Sequence, residues 1–177
     1  MKFFTPELIE RYGSVDPTVA RAAEAEWETV HARYVQHLQT IEAGMPPHLR
    51  EFSSLLLHDA TVQALARDKG RLIMVLKKDI PPRDLAILCY ELTDEPVILP
   101  FGRHPGDWDK PTAFDFDELD QVRQEEQTIY TQSIVFGNGW ELQLRFRDVQ
   151  VILAEPWAPS NGAIPAPVAP SALSPPN

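Results

Sequence analysis

Three clusters in the 177-residue chain carry side chains able to do acid–base or metal chemistry. His58 and Asp59 are adjacent, and a histidine oriented by a carboxylate is the minimal general base. His104, Asp107 and Asp109 place three possible cation ligands within six residues. Asp115, Asp117, Glu118 and Asp120 crowd four carboxylates into another six. If residues 113–117 form a strand, Asp115 and Asp117 share a face about 7 Å apart, a separation at which glycosidases use carboxyl pairs.

Each cluster also has a cheaper structural explanation. His58-Asp59 falls where a helix hands over to a strand, a place where Asp bonds neighbouring backbone. The segment with His104 has no EF-hand spacing, and the chain has no HExxH and no paired cysteines. An acid pair becomes catalytic only inside a cleft that raises one pKa, and a solvated acidic face explains the run without one. His31 and His37 are six residues apart on a helix, about 120° around its axis, so they form no ligand pair. His37 falls in the apolar stripe. Cys89 lies in an apolar run and reads as a core residue. No GxSxG, GxGxxG or P-loop is present, and no metal or cofactor is expected.

The elements that must position these groups are legible from periodicity. Asp16-Pro17 is a helix start, with Asp as cap and Pro at the first position. Ala20, Ala23, Trp27, Val30, Tyr34, His37 and Ile41 then recur every three or four residues, so an amphipathic helix runs over about 16–43. Trp27 and Tyr34 share its buried stripe. Gly44 and Pro46-Pro47 end it. Short helices are expected over 5–12 and 47–57. After Asp59 the period falls to two. Strands are expected over 60–67, with Val62, Ala64 and Ala66 on one face, and over 71–78, 84–92, 97–99, 128–136 and 140–147, continued by a last segment over 149–154. The runs 71–78 and 84–92 are apolar on both faces and read as central. Residues 113–123 are ambiguous between strand and helix. Asn138-Gly139 is a two-residue hairpin signal that pairs Val135 with Leu142, Ser133 with Leu144 and Thr131 with Phe146 on the core face. Helices first and strands after argue for an α+β fold. The long helix is expected to pack on an antiparallel meander sheet of six or seven strands. Residues 1–154 form the domain, and 155–177, with seven Pro, form a disordered tail.

Charge narrows the function classes. The formal net charge is −10, the wrong sign for a nucleic-acid binder. No apolar stretch reaches the roughly 18 residues of a membrane span. One Cys excludes an internal disulfide framework, and the opening residues do not read as a signal peptide, so a cytoplasmic protein is expected. Residues 107–126 carry a net −6, and residues 67–83 a net +4.

Three signatures carry a family resemblance. They are the opening Met1-Lys2-Phe3-Phe4-Thr5-Pro6-Glu7-Leu8, the step Leu57-His58-Asp59-Ala60, and the closing Ile134-Val135-Phe136 with Gly139, Glu141-Leu142, Phe146 and Asp148-Val149. Over roughly residues 1–153 the chain resembles a group of uncharacterised small bacterial proteins, a domain of unknown function. The resemblance implies the α+β fold and a bacterial source, and no activity.

The functional expectation is a non-enzymatic binding domain that meets a basic protein partner through Phe114, Asp115, Phe116, Asp117, Glu118 and Asp120, in the manner of an immunity protein or antitoxin. The rival is a small hydrolase or metal-dependent enzyme using His58 and Asp59 with His104.

Overall fold

The computed structural model describes residues 1–79, 85–101, 106 and 112–154. His104, Asp107, Asp109 and the expected tail 155–177 lie outside the described residues. Within them the chain is α+β, as its element order predicts. Helix α1 spans Pro6–Tyr12, α2 Pro17–Glu42 and α3 Pro47–Ser53. The strands are β1 Thr61–Asp68, β2 Arg71–Lys77, β3 Leu85–Leu92, β4 Val97–Pro100, β5 Phe114–Gln124, β6 Gln127–Phe136 and β7 Trp140–Ala154.

The helix starts follow from capping chemistry. The Asp16 carboxylate accepts the Thr18 N–H at 2.8 Å, and the Thr5 hydroxyl accepts the Leu8 N–H at 3.3 Å. Both caps precede a Pro that needs no partner for its nitrogen.

The seven strands form one antiparallel sheet in the order β1-β2-β3-β7-β6-β5, with β4 also on β7. It is not one continuous meander. Two three-stranded meanders, β1–β3 and β5–β7, are joined where β3 pairs with β7. The 15-residue β7 is the shared spine.

One face of the sheet holds the main core. Leu72, Met74, Leu76, Leu88, Tyr90, Ile134, Leu142, Leu144 and Phe146 lie under Ile41, Met45, Leu49, Phe52 and Leu57. The Phe52 ring meets Tyr90 and Phe146 edge-on at 6.0 and 6.1 Å. A second cluster joins Phe4, Leu8, Ala23, Val30 and Tyr34, with Trp27 packed against it. Thus α2 uses its stripe twice: its C-terminal end enters the main core, and its middle clasps α1 and the first residues.

Three expectations are corrected. The both-face apolarity of 71–78 and 84–92 predicts two covered faces. Instead Ile73 is 38% exposed, and Val75, Ile87 and Cys89 are only half-buried. Val62, Ala64 and Ala66 do not share one face, because a bulge between Val62 and Ala64 breaks the alternation. The third correction concerns the β6–β7 hairpin. Its loop has three residues, Gly137-Asn138-Gly139, so Phe136 pairs with Trp140 and Ile134 with Leu142. A one-residue slip exchanges the two faces of a strand. Ile134, Gln132 and Tyr130 therefore point into the core, and Val135, Ser133 and Thr131 point to the other face.

Candidate functional site

The slipped register builds a polar surface on the outer face of β5, β6 and β7. Reading across the strands, its rungs are Phe116–Val135–Glu141, Glu118–Ser133–Gln143 and Asp120–Thr131–Arg145. Beside them lies an open groove of about 420 Å³, lined by Met1, Lys2, Glu118, Asp120, Val122, Thr131, Ser133 and Gln143 among others.

The acids at this groove have separate tasks. Glu118 is 6% exposed and faces the start of the chain. Its Oε1 accepts the N–H groups of Phe3 at 2.8 Å and Phe4 at 2.6 Å, and its Oε2 accepts that of Lys2 at 2.6 Å. Charge-assisted bonds to backbone donors are among the stronger kind. Glu141, 5% exposed, accepts from the Met1 amino group at 3.0 Å and from Gln143 Nε2 at 2.9 Å. Two buried carboxylates therefore strap residues 1–4 across the outer face. Asp120 stays more open, with 42% of its side chain exposed. Lys2 Nζ approaches it at 3.4 Å and His37 Nε2 at 3.0 Å.

Asp117 points the other way, toward the core. It pairs across the strands with Ile134 and accepts from Gln132 Nε2 at 2.8 Å. Gln132 in turn accepts the Tyr90 O–H at 2.7 Å. Burial pushes the Asp117 carboxyl up to about 6, the bond from Gln132 offsets part of that rise, and Glu118 adds to it. Burial, reinforced by Asp117, also raises the Tyr34 hydroxyl. That hydroxyl accepts the Leu119 N–H at 2.8 Å, a group of the sheet's last strand that would otherwise lack a partner.

The six residues expected to meet a partner are thus divided. Phe114 is 1% exposed and belongs to the main core, and Glu118 is committed to the N-terminal strap. Asp117 faces inward. Phe116 is half-buried against Trp27 at 5.1 Å and Phe4 at 6.4 Å. Asp115 and Asp120 remain accessible. A bulge between Phe114 and Phe116 makes Asp115 an extra residue, so Asp115 and Asp117 do not form the alternating pair expected of a regular strand. Glu125 and Glu126, both exposed, end the β5–β6 hairpin next to the half-exposed Val122.

His58 and Asp59 form a clasp between the helix–sheet junction and β5. Asp59 takes φ 64°, a conformation Asp tolerates better than most residues. Its N–H donates to the Phe114 carbonyl at 2.8 Å, and the Phe114 N–H donates to Ala60 at 2.8 Å. The His58 Nδ1–H donates to the carbonyl of Asp115, the bulge residue. On the other side of the ring, Nε2 lies 3.5 Å from Asp59 Oδ2. Burial pushes the Asp115 carboxyl up; His58 pulls it down and Asp59 adds to the rise. Nδ1 is therefore engaged within the protein, whereas Nε2 makes no hydrogen bond to Asp59 at that distance. With its proton on Nδ1, the neutral ring presents Nε2 as an acceptor, the atom a general base uses. Among the described residues no group of three or more His, Cys, Asp and Glu side chains is placed to hold a metal ion. Among them, too, no helix is long and apolar enough to cross a membrane.

No protein-family model matches the chain, and no curated protein matches it. Both outcomes are consistent with the resemblance to an uncharacterised family.

Proposed function

We propose that the chain is a non-enzymatic protein-binding domain of the cytoplasm whose acidic rim docks a basic partner. An immunity- or antitoxin-like neutraliser is the specific form this would take. The supporting observation is the end of the β5–β6 hairpin, where Glu125 and Glu126 are exposed, with half-exposed Val122 and then Asp120 farther back along β5. Acids of this kind steer a basic partner, and a half-exposed valine among them supplies an apolar contact. The test is the variant Asp120→Asn, Glu125→Gln, Glu126→Gln against the partner recovered from the native bacterium. The reading expects an intact fold, a slower on-rate and a shallower salt dependence. An unchanged on-rate at low salt rejects it.

The hydrolase reading draws on one observation, the meeting of His58, Asp59 and Asp115. The bond from Nδ1–H to the Asp115 carbonyl, at the bulge of β5, favours a structural role for that meeting. A hydrolytic activity abolished by His58→Gln in a folded protein would restore the enzyme reading.

A further inference from the structure

We propose that the segment 155–177 folds back over the outer face of β1, β2, β3 and the C-terminal half of β7, with the Trp157 ring as its anchor. That face is aliphatic. One rung across the four strands is Ala64–Val75–Ile87–Ile152, and Ile73 pairs with Cys89 on the next. Ile152 is 50% exposed and Ile73 38%, while Val75, Ile87 and Cys89 are half-buried. The helices pack on the opposite face, and neither apolar cluster includes these side chains. The N-terminal strap is held by Glu118 of β5 and Glu141 of β7, so it serves the other half of the sheet. Contiguous aliphatic side chains on neighbouring strands mark a surface that something covers.

The occupant follows from where the described chain stops. Ala154 pairs with Leu85 at the corner of this face, two residues beyond the Ile87–Ile152 pair. Three further residues at about 3.1 Å each carry Trp157 roughly 9 Å, about two strand spacings, which spans β3 and reaches β2. The composition of the segment matches the face. Its single charge is Glu155, and its large apolar residues are Trp157, Ile164, Val168 and Leu173. Its seven Pro oppose a helix or an added strand. A polyproline II chain needs no ladder partner and can cross a pleated apolar surface with its backbone in water. A Trp ring takes about 150–250 Å² out of water when buried, more than any other side chain of the segment offers. The covalent link favours this segment over a second copy. A group joined by a few residues acts at about millimolar effective concentration, whereas a second copy must be drawn from solution against a net charge of −10 on each molecule.

The test is the reactivity of Cys89 in the full chain. It is the only cysteine and lies on this face, so the rate at which its thiol reacts with an aromatic disulfide reagent reports the cover. Trp157→Ala should speed the reaction at least about threefold. Trp157→Phe keeps an apolar ring and should retain most of the protection. NMR of the full chain should show contacts between the Trp157 ring and the methyl groups of Val75, Ile87 and Ile152. Equal reaction rates for wild type and Trp157→Ala, or a Trp157 ring without contact to this face, overturn the proposal. Protection that falls on dilution and ignores Trp157 also overturns it, and puts a second copy on the face instead.

Discussion

The Glu118 carboxylate and the Phe4 backbone N–H, 114 residues apart in the chain, meet at 2.6 Å in a buried position. The same carboxylate holds the N–H groups of Lys2 and Phe3. Glu118→Ala leaves three donors without their acceptor and should cost at least about 2 kcal/mol. Glu118→Gln keeps one carbonyl oxygen and should cost roughly half as much. Urea titration of both variants checks the order. Equal stability of Ala, Gln and wild type would mean that the strap contributes nothing.

Asp117 should make stability depend on pH. Burial raises its folded pKa to about 6, above the ordinary carboxyl value of 3.8. The folded state therefore holds this proton more tightly than the unfolded chain. That contribution is complete below about pH 4 and is lost as pH rises through 6. At neutral pH the fold carries a desolvated charge instead. Asp117→Asn removes that charge and keeps an acceptor for Gln132. It should stabilise the protein at pH 7.5 by up to roughly 2–3 kcal/mol, with the gain fading toward pH 4. A variant no more stable than wild type at pH 7.5 contradicts this account.

Asp59 sits at φ 64°. Glycine adopts that conformation freely, whereas a β-branched residue is strained there. Asp59→Gly should leave stability within about 0.5 kcal/mol, and Asp59→Val should cost about 1–3 kcal/mol. Thermal melts would separate the two. If Gly proved as costly as Val, the carboxylate, and not the backbone, would be the essential feature.

Trp27 is half-buried, with ring contacts to Phe4 at 4.6 Å, Phe116 at 5.1 Å and Tyr12 at 5.2 Å. Full enclosure would predict about 3–5 kcal/mol for Trp27→Ala. Partial enclosure lowers the expectation to about 2–3 kcal/mol. A change under about 0.5 kcal/mol would show that the second apolar cluster does not stabilise the domain.

Much of this fold is local and so was legible in the sequence. Asp16-Pro17 and the three-and-four spacing fix α2, and alternation fixes most strands. The groove was not legible, because it depends on one residue of loop length. Asn138-Gly139 suggests a two-residue turn, but the Gly139 N–H closes on the Phe136 carbonyl at 2.8 Å, and the loop takes in Gly137. The apolar pattern offers the correction: Ile134, Leu142, Leu144 and Phe146 make a better core face than Ser133 and Thr131. The role of Glu118 could not be read locally. Its partners lie at the far end of the chain, and nothing in the run Asp115–Asp120 distinguishes the strapped acid from its neighbours. The bulge at Asp115 hid the inward turn of Asp117 in the same way.

The position of β7 has a consequence for biosynthesis. It pairs with β3, β4 and β6 and is the last described strand. A chain growing at about 5–20 residues per second exposes β3, β4 and β6 before their common neighbour leaves the ribosome. Until then β3 and β6 each present an unpaired edge rich in Ile, Leu, Val and Tyr, a template for pairing with other nascent chains. Translation rate across codons 127–154 should therefore govern the soluble yield of this protein more than the rate across its helical first third.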